Sequence, residues 1–142
     1  DLGGMPDMAQ TLAVVAMFAE GRTTIRHVGN LRVKETDRLA ALENELAKFG
    51  AKVTITGDDL TIAPPQADCP PVVAVDTYDD HRMAMSFAVA GLASDRLPGK
   101  PRVIINDPGC VAKTYPGFWA DLRKSLGAEV VVPSERSEKA VP

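Results

Sequence analysis

Between an apolar strand pattern and an apolar helix pattern, the chain carries Asn30-Leu31-Arg32-Val33-Lys34-Glu35-Thr36-Asp37-Arg38, a stretch in which five of nine residues are charged. The helix pattern begins at Leu39, because apolar residues then recur at steps of three and four as far as Phe49. Gly50 follows at the position where a helix often ends in a residue of positive φ. The stretch therefore predicts a charged entry into an amphipathic helix.

This charged entry has two interpretations. If the helical pattern is extended backwards at about 100° per residue, Glu35 falls within the apolar arc and Arg38 at its edge. A carboxylate there is costly unless it is paired or faces a cleft. Lys34 and Arg38, four residues apart, would repel each other in a helix, and an anionic ligand would relieve that conflict. The alternative is a solvated first turn in which the acids face the positive end of the helix dipole.

The composition indicates one globular unit and excludes several classes of protein. The chain has 142 residues, of which 45% are hydrophobic and 25% charged, with a formal net charge of −3. That charge argues against a general nucleic-acid binder. Because the sequence has neither an apolar run long enough to span a bilayer nor a signal peptide, we expect a cytoplasmic protein without a membrane partner. The two cysteines and two histidines lack the spacing of a metal site or a disulfide framework, so we expect no metal.

Patterns on either side of the central stretch predict alternating helices and strands, and hence an α/β (α+β) fold. The predicted elements are a helix over 8–19, a strand over 23–28, the helix from Leu39, strands over 52–56 and 60–63 around Gly57-Asp58-Asp59, a strand over 72–75, a helix over 83–93, a strand over 102–105, a helix capped by Thr114 and ending at Gly127, and a strand over 130–132. The polar tail 134–142 is predicted to be disordered.

An internal repeat divides this order into two units. Phe49-Gly50-Ala51-Lys52-Val53 and Leu126-Gly127-Ala128-Glu129-Val130 share the same succession of helix end, Gly-Ala, charge and strand. The repeat predicts related sub-units over about 1–65 and 71–133, separated by a proline-rich segment. Since the chain begins at Asp1 and is within a motif by Asp7, we expect it to be a piece of a longer polypeptide.

Charged and polar residues collect where predicted strands meet predicted helices. Helix N-termini offer free amide donors and a positive dipole end, so neighbouring Lys and Arg side chains would make strong anion sites there. Each residue also has a purely structural alternative, such as a first-turn acid, a packed histidine or a solvated lysine. The candidates are Asp7, Lys34, Glu35, Arg38, His81, Arg82 and Lys113.

Three motifs occur in the order in which a known family has them. They are Arg32-Val33-Lys34-Glu35-Thr36-Asp37-Arg38, Asp80-His81-Arg82-Met83-Ala84-Met85 and Asp107-Pro108-Gly109-Cys110-Val111-Ala112-Lys113-Thr114-Tyr115-Pro116. Together they resemble the C-terminal part of the 5-enolpyruvylshikimate-3-phosphate synthase family. Lys34-Glu35 and Asp80-His81-Arg82 favour this family over the related UDP-N-acetylglucosamine enolpyruvyl transferases, which remain the alternative. The resemblance covers about residues 1–126 but only about the last third of such an enzyme.

The resemblance implies a fold and an activity. The implied fold is part of an inside-out α/β barrel domain made of βαβαββ units, with residues 1–133 forming the C-terminal part of one enolpyruvyl transferase domain. The implied activity is transfer of the enolpyruvyl group of phosphoenolpyruvate to the 5-hydroxyl of shikimate 3-phosphate, with release of phosphate and without a metal or organic cofactor. It belongs to the shikimate pathway of aromatic amino acid biosynthesis.

The resemblance also implies a role for each candidate residue. Asp7 is the expected base, and it binds shikimate 3-phosphate together with Asn30 and Lys34. Glu35 is the expected proton donor to the methylene carbon. The expected phosphoenolpyruvate ligands are Arg38, Arg82 and Lys113, and His81 is a possible further site residue. The implied partner is the N-terminal part of the enzyme, without which we expect the chain to be inactive. The alternatives are a non-catalytic anion-binding module and an assembly fragment that self-associates through open sheet edges.

Overall fold

The computed structural model describes residues 1–128 and has the mixed α/β character that the sequence predicts. The helices are α1 (Ala9–Ala16), α2 (Arg38–Lys48), α3 (His81–Leu92) and α4 (Phe118–Leu126), and the strands are β1 (Thr23–Ile25), β2 (Lys52–Thr56), β3 (Asp59–Ala63), β4 (Val72–Val75) and β5 (Arg102–Ile105). Short 3-10 helices cover Pro6–Met8, Gly29–Val33, Ser94–Arg96 and Pro108–Lys113. No helix within residues 1–128 combines the length and the apolar character needed to cross a bilayer.

The five strands form two sheets. In the first, β3 lies between β1 and β2 and pairs with both in antiparallel fashion. The β2–β3 hairpin turns through Gly57 and Asp58, since Thr56 pairs directly with Asp59, and Gly57 has a φ of 59°. In the second sheet β4 and β5 are parallel, and α3 is the crossover that a parallel pair requires.

The core is formed mainly by helix faces that close over these sheets. Leu39, Leu42, Leu46 and Phe49 are fully buried along α2, as their spacing predicts, and each contributes roughly 1.5–3 kcal/mol through removal from water. Phe49 stacks on Phe87 with ring centroids 6.0 Å apart, which joins α2 to α3. Gly50 takes a φ of 88° and ends α2 where the sequence predicts.

Two elements of the first half are shorter than predicted. Helix α1 ends at Ala16 and not at residue 19, because Met17 and Phe18 donate to carbonyls three residues back and so tighten its last turn. Strand β1 ends at Ile25 and not at residue 28, because His27 takes a left-handed conformation with a φ of 61°, which a strand cannot contain.

The last helix differs from its prediction at the start. Thr114 does not cap it, and α4 begins only at Phe118. Pro116 disfavours helical geometry at the residue before it, so the chain passes through a turn between the 3-10 helix and α4. The predicted strand over 130–132 and tail 134–142 lie outside the described residues. The division into sub-units 1–65 and 71–133 stays a prediction.

Candidate active site

The charged stretch that opens the sequence analysis enters α2 differently from the extended helical pattern. The Asp37 side chain accepts a hydrogen bond from the Ala40 N–H at 3.1 Å and caps the helix, so helical geometry starts at Arg38. The expectation that Glu35 falls in the apolar arc is therefore wrong. Its side chain is 45% exposed, whereas that of Arg38 is only 1% exposed. The buried charge at the start of α2 is a cation.

Arg38 is surrounded by three carboxylates from separate segments of the chain. Its Nε donates to Asp80 Oδ2 at 2.7 Å, its Nη1 to Asp7 Oδ1 at 3.1 Å, and its Nη2 to Glu35 Oε2. A guanidinium has five N–H donors in a planar fork, and a buried one is stable only if these donors find partners. Each of the three guanidinium nitrogens of Arg38 has a carboxylate partner.

The three carboxylates are not equivalent. Asp80 is 0% exposed and also caps α3 by accepting the Arg82 backbone N–H at 2.9 Å, so it is fixed in place. Asp7 and Glu35 are 47% and 45% exposed. Water or an anionic ligand can reach these two, and such a ligand would take over two N–H groups of the Arg38 fork.

Asp7 lies among three cations. Besides Arg38, the Lys34 Nζ is 3.9 Å from Asp7 Oδ1 and the Arg82 Nη2 is 3.7 Å from Asp7 Oδ2. Both distances are longer than a strong hydrogen bond, and both cations are more than a third exposed. We call Asp7, Lys34, Glu35, Arg38, Asp80 and Arg82 the Arg38 cluster.

Three candidates from the sequence lie outside the Arg38 cluster. Lys113 is 81% exposed and has Asp79 as its ion-pair partner at 3.8 Å. His81 is the half-buried first residue of α3, and Asn30 is exposed in the 3-10 helix before the charged stretch. Among residues 1–128, no hydrogen bond or ion pair joins any of the three to the cluster. The structure thus assembles five of the eight candidates.

The sequence analysis missed two buried acids next to these candidates. Asp80 stands directly before the apolar run of α3, which is the signal of an N-cap, and its side chain closes the Arg38 cluster. Glu45 lies two helical turns after Arg38 on the same face of α2, and its side chain is 1% exposed. Its position on the buried stripe of α2 could have identified it.

Glu45 is the centre of a second polar group, which we call the Glu45 network: Glu45, Lys48, Asp76, Tyr78 and Asn106. Its carboxylate accepts from Tyr78 Oη at 2.7 Å and from the Asp76 backbone N–H at 3.0 Å, and Lys48 Nζ lies 2.7 Å away. Burial and the bond to Glu45 raise the pKa of Tyr78. Hydrogen bonds from Asn106 and Lys48 lower the pKa of Asp76.

The remaining reactive side chains do not form a further site. Cys69 and Cys110 are both buried, and burial raises the pKa of each thiol, so neither has the lowered pKa of an activated nucleophile. Within the part of the chain that the structure describes, no group of three His, Cys, Asp or Glu side chains is placed to hold a metal ion. The Arg38 cluster is the candidate active site.

Comparisons with known proteins agree with the motifs. A family model described as EPSP synthase (3-phosphoshikimate 1-carboxyvinyltransferase) matches residues 1–122. The 3-phosphoshikimate 1-carboxyvinyltransferase of Paraburkholderia phymatum is 51% identical over 119 residues, which are 84% of this chain and 26% of that protein. The protein of the same name from Laribacter hongkongensis is 52% identical with the same coverage. The chain spans about a quarter of the length of these curated relatives.

A solved structure supports the same comparison. The 2.37 Å structure of EPSP synthase from Acinetobacter baumannii aligns with a TM-score of 0.67 and 26% identity, over 84% of this chain and 27% of that one. This likeness confirms the fold class expected from the sequence.

Proposed function

The chain belongs to the EPSP synthase family, and we propose that it supplies one wall of an active site that transfers the enolpyruvyl group of phosphoenolpyruvate to the 5-hydroxyl of shikimate 3-phosphate. The proposal rests on the Arg38 cluster, in which three cations from one loop and two helices face one half-exposed carboxylate, Asp7. The family match also supports the preference for this activity over that of the UDP-N-acetylglucosamine enolpyruvyl transferases.

The proposed reaction needs two kinds of group that the Arg38 cluster contains. Cations must hold the phosphate and carboxylate groups of the substrates, and Lys34, Arg38 and Arg82 are available for this. As the 5-hydroxyl oxygen bonds to C2 of phosphoenolpyruvate, a base must accept its proton and an acid must protonate the methylene carbon, and that carbon must lose a proton again when phosphate leaves and the double bond re-forms. We assign the first two of these proton transfers to Asp7 and Glu35.

The geometry suggests how ligand binding would prepare the two acids. In the structure, Asp7 and Glu35 each accept a hydrogen bond from an N–H of the Arg38 guanidinium. A carboxylate or phosphate of phosphoenolpyruvate that takes those donors would release both side chains toward the substrates. Asp80 would remain bound to Arg38, because it is buried and its side chain caps α3. One guanidinium would thus exchange two half-exposed partners for a ligand while the buried Asp80 keeps it oriented.

The candidates outside the Arg38 cluster complete the proposal. Asn30, with Asp7 and Lys34, is assigned to shikimate 3-phosphate, and Lys113 to phosphoenolpyruvate. Among residues 1–128, the ion-pair partner of the exposed Lys113 side chain is Asp79 at 3.8 Å, a weak contact that opposes its movement toward a ligand little. His81 precedes Arg82 at the start of α3 and is assigned to the same side of the site without a specific role.

The proposed partner is the part of the enzyme that precedes this chain in its relatives. One wall of a cleft neither excludes water nor fixes two substrates against each other, so the chain alone should be inactive. We place the assembled enzyme in the cytoplasm. If the outer strands β1 and β2 of the first sheet are uncovered in the isolated chain, self-association through them is the competing outcome, which size-exclusion chromatography would reveal.

Complementation tests this function. The chain is mixed with the preceding three quarters of the Paraburkholderia phymatum relative, and phosphate release is measured with phosphoenolpyruvate and shikimate 3-phosphate, alongside calorimetric binding of each. We expect turnover only from the mixture, and a loss of about 100-fold or more for Glu35→Gln with substrate binding retained. Glu43→Gln, an exposed acid on α2, is the matched control.

Two results would contradict the proposed function. A folded complex that binds both substrates without releasing phosphate would exclude catalysis by this pairing. Turnover that survives Glu35→Gln would exclude the role of Glu35. A non-catalytic anion-binding module would instead bind phosphoenolpyruvate equally well or more tightly after Glu35→Gln, with no turnover in either form.

A further inference from the structure

The connection between β4 and α3, residues 76–80, has an unusual backbone. Tyr78 and Asp79 are both left-handed, with φ values of 55° and 53°, although neither is glycine. Two successive side-chain-bearing residues rarely adopt this conformation, so the surrounding structure must hold it. The connection ends at Asp80, the buried partner of Arg38, and the next helix carries Arg82.

Helix α2 holds this connection at two points. At the start of the helix, Arg38 donates to Asp80. Seven residues later, and therefore about 10 Å farther along the helix axis, Glu45 accepts from Tyr78 Oη and from the Asp76 N–H. Asp76 and Asp80 flank the left-handed pair, and Tyr78 itself belongs to it. Its conformation is therefore controlled from α2 at both ends.

Glu45 is itself held rigidly. Lys48 Nζ lies 2.7 Å from its carboxylate and also donates to the Ala74 carbonyl at 3.0 Å and to Asp76 Oδ2 at 3.1 Å. The Asn106 amide donates to the other oxygen of Asp76 at 2.9 Å, which extends the Glu45 network to the segment after β5. A fixed acceptor of this kind can orient a tyrosine hydroxyl, whereas a solvated carboxylate cannot.

We propose that the Glu45–Tyr78 pair is a positioning device for the candidate active site. It keeps Tyr78 and Asp79 in their left-handed form and thereby sets where α3 presents Arg82 relative to Arg38 on α2. The two arginines belong to different helices, and the β4–α3 connection leads directly into the one that carries Arg82. Within residues 1–128, neither the Glu45 nor the Tyr78 side chain forms a hydrogen bond or an ion pair with a side chain of the Arg38 cluster, so both act through the connection and not on a substrate.

Hydrogen exchange on the full 142-residue chain tests the positioning directly. In Tyr78→Phe, the amides of Asp80 and Arg82, which donate to the Thr77 carbonyl and to Asp80 Oδ1, should exchange about 10-fold faster or more, while the β2–β3 hairpin is unchanged. Tyr115→Phe is the matched control, because it removes another tyrosine–carboxylate bond, 2.6 Å to Asp121. An increase spread uniformly over the chain, or no increase, would overturn the proposal.

The consequence for activity rests on the proposed function and needs the complemented enzyme. Tyr78→Phe should raise the KM for phosphoenolpyruvate about 10-fold and leave the KM for shikimate 3-phosphate within about twofold, because Arg82 is assigned to the first substrate and Asn30 to the second. A fall in kcat with both KM values unchanged would overturn the positioning role. If the unaltered complex shows no turnover, the proposed function fails, and the exchange result still decides the positioning.

Discussion

Helix α2 buries two charges on one face, and the two differ in the kind of partners that surround them. Arg38 is a buried cation whose partners include two half-exposed carboxylates, Asp7 and Glu35. Glu45 is a buried carboxylate whose partners, a tyrosine hydroxyl, a backbone N–H and Lys48, are each tied into the fold. The first arrangement leaves partners that a ligand can replace. In the second, Lys48 and Tyr78 are also bonded to other groups of the fold.

This difference separates a charge that is available for chemistry from one that holds structure. Burial alone does not distinguish the two, since both side chains are about 1% exposed. The distinction lies mainly in the number of other bonds that hold the partners, since Lys48 and Tyr78 are themselves about one third exposed. Arg38 has one fixed partner and two accessible ones, because Asp80 binds it from the buried side and Asp7 and Glu35 bind it from the exposed side. Such a cation is oriented before a ligand arrives, which is what electrostatic catalysis requires.

The largest expected effect comes from replacing the fixed partner. Asp80→Asn removes the buried charge opposite Arg38 and should lower the free energy of unfolding by about 3 kcal/mol, because the guanidinium is then only partly compensated. Asp7→Asn removes a partner of the same type that is 47% exposed, and should lower it by less than about 1 kcal/mol. Urea denaturation of both variants measures the two values.

The ratio of the two losses in free energy of unfolding tests whether Asp7 is a replaceable partner of Arg38. Equal losses would mean that Asp7 is as structural as Asp80, and the assignment of Asp7 as a replaceable partner would then be wrong. A double variant, Asp7→Asn with Asp80→Asn, shows through its non-additivity how strongly the two acids share Arg38.

A smaller loss is expected at the other buried charge. Glu45→Gln keeps an acceptor for Tyr78 but loses the charge that pairs with Lys48, so the free energy of unfolding should fall by about 1.5 kcal/mol. Glu43→Gln, on the exposed face of the same helix, should leave it unchanged. Chemical denaturation followed by far-UV circular dichroism provides the comparison. If Glu45→Gln left the free energy of unfolding unchanged, there would be no contrast between the two buried charges of α2.

Elements with a local signal were predicted correctly from the sequence. Strands β4 and β5 have the predicted bounds, and Gly50 and Gly127 end their helices with positive φ, because β-branched runs and helix-terminal glycines act over a few residues. The start of α2 was predicted at Leu39 and lies one residue earlier, at Arg38, but the apolar arc extended back to Glu35 was wrong. The Asp37 cap decides where the helix begins, and a periodic pattern extended past a cap assigns the wrong residue to the buried face.

The candidate site could be predicted as a set of residues but not as a set of contacts. Asp7, Glu35, Arg38 and Arg82 were identified, yet the pairing of Arg38 with Asp80 joins residues 42 positions apart and has no local signature. The same holds for Glu45 and Tyr78, which are 33 positions apart. Which charge is buried depends on such distant partners, and a single sequence does not specify them.

The smallest expected effect is a loss of stability in alkali that comes from the Glu45 network. Burial and the bond to Glu45 raise the pKa of Tyr78, and the hydrogen bonds of Lys48 to Glu45 and Asp76 raise the pKa of Lys48 against the opposing effect of burial. In the unfolded chain both groups lose their protons near pH 10, so above that pH the folded chain binds more protons and its stability falls as pH rises through the folded pKa values.

For Tyr78 alone the expected loss is on the order of 0.5 kcal/mol, because the side chain is about one third exposed and its interaction is screened. Urea midpoints between pH 8 and pH 11 should therefore fall less steeply for Tyr78→Phe than for the unaltered chain. Tyr115→Phe again serves as the control, since Asp121 raises the pKa of Tyr115 but at an exposed site where solvent weakens the effect. Parallel pH profiles for the unaltered chain and Tyr78→Phe would show that Glu45 does not hold the Tyr78 hydroxyl in solution, and the contrast between the two buried charges of α2 would then rest on Lys48 and the Asp76 N–H.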